Sequence, residues 1–262
     1  MGKLCRGIAH WPLAPGVSFP FSIHDSNGDY WAGGGGTSER DMCYTGRHLV
    51  SINTDGQGIG FIRPTEDGSG AWLGSKTIPG SSATVTATGI CHNDRAFCFI
   101  MQDSTGTVND YLMWAAFDAS GTLQELRRVT ISINETQRYE YICFTGRTYF
   151  VLDPLSDRCV ELSHTGVATR TWATRNANHV GLMWNGRHLK MLVNSDFAQG
   201  SLDTYTMDGT VIKTAEQLIT VALPSFLSVD KACTWDNGHF WYNGKKFAAT
   251  PPTDPDIEVE NP

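Results

Sequence analysis

The chain has 262 residues, with 20 Lys plus Arg against 27 Asp plus Glu, a formal net charge of −7 and 40% hydrophobic residues. Such a length buries roughly 70–75% of the unfolded chain's surface in one sizeable domain, while the acidic balance argues against a general nucleic-acid or membrane-surface binder, which needs a basic footprint. The seven cysteines, Cys5, Cys43, Cys91, Cys98, Cys143, Cys159 and Cys233, contain no C-x-x-C pair, so neither a zinc site nor a complete disulfide framework is written here, and reduced, mostly buried thiols are expected.

At the start, "MGKLCRGIAHWPLAPG" lacks the apolar run of about 7–15 residues that a secretory signal places after its charges, and nothing downstream approaches a membrane span. Synthesis in the cytoplasm without a signal peptide is the expectation. Arg6 stands where a myristoylation motif on Gly2 wants Ser or Thr. The stretch "GVSFPFSIHDSNGDYWAGGGG" offers one hairpin. Within it "DSNGD" spaces oxygen ligands like a calcium loop but lacks the bidentate Glu that completes one, and the glycine run lacks the strand-to-helix setting of a phosphate loop.

From residue 41 onward one turn recurs. It reads Cys43-Tyr44-Thr45-Gly46-Arg47, Cys91-His92-Asn93-Asp94-Arg95, Cys143-Phe144-Thr145-Gly146-Arg147 and Met183-Trp184-Asn185-Gly186-Arg187, with a looser copy at Thr234-Trp235-Asp236-Asn237-Gly238. The aromatic positions 44, 92, 144, 184 and 235 are 48, 52, 40 and 51 residues apart, which suits a four-stranded propeller blade of about 40–50 residues. An apolar run follows each turn. An alternating strand and a second turn come next, at Ser120-Gly121, Thr165-Gly166 and Asp208-Gly209, so each unit reads strand, turn, strand, loop, strand, turn, strand. "TLQELRRVTI" is the nearest approach to a helical face, and its place after a hairpin turn makes it a last, outer strand.

These units lie near 41–78, 84–132, 140–173, 180–218, and 232–249 together with 1–40. None can bury both faces alone, so they should stack around an axis. Cys43, Cys91, Cys143 and Met183 are then expected on the innermost strands, with Tyr44, His92, Phe144 and Trp184 filling gaps between blades. The last unit has room for two or three strands only. An all-β, single propeller of about five four-stranded blades over 1–249 is therefore expected, its N- and C-terminal strands sharing the closing blade, or six blades if the N-terminal hairpin forms a reduced one.

The unit "GLMWNGRHLKMLVNSDFAQGSLDTYTMDGTVIKT" resembles the blade of the NHL and kelch-like propeller superfamily, in which an Asn-Gly or Asp-Gly corner precedes a strand ending in Asp-x-Gly. The resemblance spans roughly residues 41–249 and implies an architecture, which hosts enzymes, lectins and scaffolds alike.

Among residues able to do chemistry, Asp55, Asp103, Asp153 and Asp196 recur at or after the second strand of each unit. A glycoside hydrolase needs two flanking carboxylates, but acids that follow the repeat read better as caps of loops, and no catalytic residue is assigned. His24, His48, His92, His188 and His239 lie beside the turns without H-x-H or H-x-x-x-H spacing, so no metal site and no cofactor are assigned. Arg47, Arg95, Arg147 and Arg187 form the most informative polar set. Equivalent turns would place them on one face as a basic ring able to grip carboxylates, unless each pairs with an Asp or carbonyl of its own or the next blade.

The stretch 250–262, "TPPTDPDIEVENP", is Pro-rich and acidic, carrying Asp254, Asp256, Glu258 and Glu260, with too few apolar groups to order by itself. Arg47, Arg95, Arg147, Arg187, Asp254, Asp256 and Glu258 are the expected partner-binding residues. A Gly-, Thr- and Asn-rich all-β chain of this kind is similar in type to propeller-type structural proteins of tailed-bacteriophage virions. That implies a non-enzymatic scaffold or adhesion component with protein partners in a large homo-oligomeric or multi-component, virion-associated assembly. The alternative is a glycan-binding lectin or glycoside hydrolase using the propeller mouth.

Overall fold

The computed structural model describes residues 41–46, 48–53, 55–64, 70–105, 110–131, 139–153, 156–175, 179–193, 201–217, 233–236, 239–242 and 245–248. The 1–40 segment and the 250–262 tail lie outside the described residues. Every regular element among the described residues is a strand. Sheet one is β1 (Met42–Tyr44), β2 (Leu49–Ile52), β3 (Gly58–Pro64) and β4 (Gly70–Thr77); sheet two is β5 (Val85–His92), β6 (Phe97–Asp103), β7 (Tyr111–Phe117) and β8 (Leu123–Thr130). Sheet three is β9 (Tyr141–Phe144), β10 (Tyr149–Asp153), β11 (Arg158–Leu162) and β12 (Ala168–Ala173); sheet four is β13 (His179–Trp184), β14 (Leu189–Val193), β15 (Ser201–Tyr205) and β16 (Val211–Gln217). β17 (Cys233–Asp236), β18 (His239–Tyr242) and β19 (Lys245–Ala248) form a three-stranded sheet.

Each sheet is an antiparallel meander in chain order. The first strands β1, β5, β9 and β13 pack one against the next, and β17 touches both β13 and β1. The chain is thus an all-β propeller with four four-stranded blades. This corrects the expected count of five or six, because the last repeat supplies three strands only among the described residues.

The sequence builds blades that are apolar on both faces. Successive side chains of a strand point to opposite sides, so Phe97 and Phe99 of β6 join Val50, Ile59 and Phe61 of blade one, while Cys98 and Ile100 join Ile142, Tyr149 and Val160 of blade three. Between blades three and four, Phe150, Leu152 and Cys159 meet Leu182, Met191 and Tyr205. Fully burying a side chain of this size contributes about 1.5–3 kcal/mol, which gives flat blades reason to stack. Irregular register between the third and fourth strands recurs in all four blades, at Phe61/Ile62, Trp114/Ala115, Glu161/Leu162 and within β15, where bulges add the twist a radial stack needs.

Cys43, Cys91, Cys143 and Met183 are buried on the innermost strands. Cys43, Cys91, Cys98, Cys143 and Cys159 are free and buried. The aromatic positions beside them differ from expectation: Tyr44, His92, Phe144 and Trp184 are only half-buried, at the rim of each strand. Phe144 lies 4.8 Å from Tyr149 and His92 5.1 Å from Phe97, so they cap the interfaces whose centres the second and third strands fill.

Candidate functional site

The repeated turn is a two-residue hairpin. The N–H groups of Thr45, Asn93, Thr145 and Asn185 donate to the carbonyls of His48, Ala96, Thr148 and His188 at 2.9, 3.1, 3.0 and 3.2 Å. The first loop residue is left-handed in each: φ is 84° at Gly46, 70° at Asp94, 90° at Gly146 and 98° at Gly186, whereas Arg95, Arg147 and Arg187 keep negative φ. That is the II′ pattern, matched to strand twist and suited to glycine in its first loop position. The residue before the loop closes it with a side-chain oxygen. Asn93 Oδ1 accepts from the N–H groups of Arg95 (3.2 Å) and Ala96 (2.9 Å), and Asn185 Oδ1 from those of Arg187 (3.0 Å) and His188 (2.7 Å). Thr45 Oγ1 and Thr145 Oγ1 accept from the N–H groups of His48 (3.1 Å) and Thr148 (3.2 Å). The backbone therefore explains the Thr or Asn and the Gly, but not the Arg.

Because every blade begins at its inner strand and meanders in the same order, all first hairpins open on one face, close to the axis. Arg95, Arg147 and Arg187 are exposed there. Among the described residues they have no ion pair or side-chain hydrogen bond. Three arginines elsewhere are engaged: Arg127 lies 3.8 Å from the Trp114 ring centroid, Arg170 meets Glu161 at 3.0 Å, and Arg175 meets Asp203 at 2.9 Å. Among the described residues, then, no carboxylate or carbonyl of the same or the next blade pairs with Arg95, Arg147 or Arg187. Arg47 lies outside the described residues.

The third hairpins open on the same face but further out. They are three-residue loops closed by left-handed Gly121, Gly166 and Gly209, a type I turn followed by a glycine bulge. Asp118 is consumed by its own turn: hydrogen bonds from the Ser120 hydroxyl, the Thr122 N–H and Gln124 hold its carboxyl down at about 2. Asp208 likewise binds Thr206 and the Thr210 N–H. The face therefore carries Arg95, Arg147 and Arg187, with Asp94 among them, on its inner hairpins and Asp118 and Asp208 on its outer ones.

On the opposite face the second connections carry the repeated acids. Asp55 Oδ1 accepts from the Gln57 N–H at 2.9 Å. Asp103 Oδ1 accepts from the Thr105 N–H at 2.9 Å and its hydroxyl at 2.7 Å, and buried Asp153 from the Ser156 N–H at 3.2 Å. Each closes its own loop, and Asp196 lies outside the described residues. His48, His92 and His188 flank the first hairpins half-buried. Burial pushes the His92 imidazole down to about 4, so it adds no cation near neutrality. The side chain of His239 and all of His24 fall outside the description. No group of three or more His, Cys, Asp or Glu among the described residues is placed to hold a metal ion.

Three buried acids were missed by sequence reading: Glu161 of β11, which pairs with Arg170, Asp203 and Asp41. Asp203 on β15 is fully buried, accepting a two-pronged grip from Arg175 Nε and Nη2, each at 2.9 Å, and lying 3.0 Å from His179 Nε2. The Tyr205 hydroxyl accepts from the Arg175 N–H at 3.0 Å, fixing the crossing from β12 to β13. Asp41, just before β1, accepts from the Ile90 N–H of β5 at 2.9 Å. Burial raises its carboxyl well above the usual range. The only sequence signal was an acid inside an apolar strand, in "LDTYT", and a strand with one polar face looks the same.

No family model matches the chain, and no curated protein matches it in sequence. Among solved structures it is similar to the glutaminyl cyclase of Myxococcus xanthus, at 10% identity and a TM-score of 0.56, over 81% of this chain and 89% of that one. It also aligns with the PQQ-bound aldose sugar dehydrogenase of Streptomyces coelicolor (12% identity, TM-score 0.45, 79% and 74% covered). A Bacteroides caccae protein of unknown function aligns at 9% identity and a TM-score of 0.44, over 69% of this chain, which spans about 61% of that protein's length. The last two scores are too low to carry an argument. At 10% identity the likeness to the cyclase is one of fold, and what it shows is that the chain is a β-propeller.

Proposed function

We propose that this propeller is a non-enzymatic interaction protein whose inner-hairpin face docks an acidic segment within a larger assembly. One observation carries the reading: Arg95, Arg147 and Arg187 stand at equivalent turn positions, exposed and unpaired among the described residues, where the turn itself has no use for arginine. Guanidinium forks match carboxylates in pairs of parallel hydrogen bonds, and several on one face outweigh the about 0.2–1 kcal/mol of a single exposed pair. The carboxylates that a hydrolase would have used are occupied in closing loops, which weighs against the glycosidase alternative. The compositional likeness to propeller-type virion proteins makes a tail or adhesion component the assembly this reading favours.

The test is co-purification from the native source of a tagged chain and of its Arg95→Glu/Arg147→Glu/Arg187→Glu variant. The wild type is expected in a complex well above its monomer mass and the variant outside it, with an unchanged circular-dichroism spectrum. A variant retained at wild-type level would overturn the reading.

A further inference from the structure

We infer that the arginine face receives an extended acidic strand, and that residues 254–260 of the same chain are that strand, folded back within one molecule. The inference rests on the reading of this face as a docking surface and names the segment that covers it while no acidic partner of the assembly is bound.

The sequence there is Asp254-Pro255-Asp256-Ile257-Glu258-Val259-Glu260. Its acids fall at every second position, the period of a β-strand. In extended form all four carboxylates share one side, about 6.7 Å apart, and Pro255, Ile257 and Val259 take the other. The intervening residues favour that form, since Ile and Val are stiff and strand-prone and a proline drives the residue before it out of the helical region. No Lys or Arg lies between Ala248 and the last residue, so nothing in the segment neutralises the row.

Position supports the match. β17 sits beside β1 and β13 and ends in the looser copy of the repeated turn, so its hairpin to β18 opens on the arginine face. β19 is antiparallel to β18 and therefore runs back toward that face, where it ends at Ala248. β19 lies two strand spacings, about 10 Å, outward from β17. Residues 249–253 can span up to about 17 Å, enough to bring Asp254 over the inner hairpins. The nearer acids do not compete for the arginines, because Asp118 and Asp208 are held in the outer turns. Among the described residues of the first hairpins and of the looser copy at the end of β17, the acids are Asp94 and Asp236.

The experiment uses the full chain and a synthetic, fluorescein-labelled peptide of residues 250–262, with binding read by anisotropy at low salt. In one variant the tail is neutralised by Asp254→Asn, Asp256→Asn, Glu258→Gln and Glu260→Gln. The peptide should bind that variant at least about tenfold more tightly than the wild-type chain, whose tethered tail competes at an effective concentration near millimolar. Adding Arg95→Glu, Arg147→Glu and Arg187→Glu to the neutralised chain should abolish binding, and a peptide carrying the four amides should not bind. Equal affinity for wild-type and neutralised chains, no binding to the neutralised chain, or binding that survives the arginine reversals would each overturn the inference. Concentration-dependent self-association of the wild type that disappears on neutralising the tail would assign the strand to a second copy and overturn the intramolecular form. Should the peptide fail while the arginine reversals still expel the chain from its complex, only the tail is misassigned; reversals without effect on the complex dismiss the docking face itself.

Discussion

The two faces of the propeller repeat different residues for different physical reasons. On the face of the second connections, Asp55, Asp103 and Asp153 each accept a backbone N–H of their own loop. Their recurrence follows from a recurrent need of the backbone. On the opposite face the Thr or Asn and the left-handed loop residue are consumed in the same way, yet the arginine after them bonds to nothing described. A repeated residue with a local duty says little about partners, whereas one without such a duty points outward. That distinction predicts which substitutions will cost stability.

The largest cost should fall on an acid with a duty in the interior. Replacing Asp203 by Ala leaves the Arg175 guanidinium and His179 without their shared acceptor between blades three and four. Breaking a buried charge pair costs about 3–5 kcal/mol. The low end, about 3 kcal/mol, is expected because Arg175 is 39% exposed and keeps access to water. A shift in urea midpoint at constant slope measures it, and a loss under about 1 kcal/mol would show that the network is dispensable.

Next comes Asp41, whose effect depends on pH. Its folded carboxyl is raised by burial, against about 3.9 in the unfolded chain. Above about pH 4 the unfolded chain releases a proton that the folded one keeps, so this group's contribution declines as pH rises until the folded carboxyl also ionises, at up to 1.4 kcal/mol per pH unit. Asp41→Asn should remove that slope and leave the variant more stable than wild type near neutrality. Urea unfolding of both proteins from pH 4 to 8 checks the sign; parallel curves would mean that Asp41 is ionised in the fold.

How much of this could be read in the sequence differs between local and non-local features. The repeat, the inner strands and the hairpin before each arginine were legible, because a left-handed loop residue and a strand period leave marks within about ten positions. The number of complete blades was not. Whether β17 to β19 gain a further strand depends on pairing with residues far away in the chain, which no local pattern encodes. The Arg175, His179 and Asp203 network was equally hidden, since its partners are 28 and 24 positions apart and come from a crossing, a strand end and a strand interior. The arginine positions were visible but their partners were not. Sequence spacing fixes where a guanidinium starts, and only the fold shows that no described carboxylate pairs with it.

The smallest effects test the contrast between faces directly. Asp103→Ala removes the acceptor of the Thr105 N–H and hydroxyl and should cost about 1 kcal/mol, the usual net worth of a turn-closing hydrogen bond. Arg95→Ala, Arg147→Ala and Arg187→Ala together should change stability by less than about 0.5 kcal/mol, since exposed side chains without contacts rarely matter to folding. Both are read as urea midpoints under the same conditions. The sign of any residual arginine effect carries further information. Three like charges near one axis repel, more strongly at low salt where the screening length exceeds about 10 Å. Removing them should therefore stabilise slightly if the face is empty and destabilise slightly if residues 254–260 lie across it, and the difference should vanish in 1 M salt. A triple variant that loses as much stability as Asp103→Ala at every ionic strength would mean the arginines have a structural duty after all, and the contrast between the faces would fail.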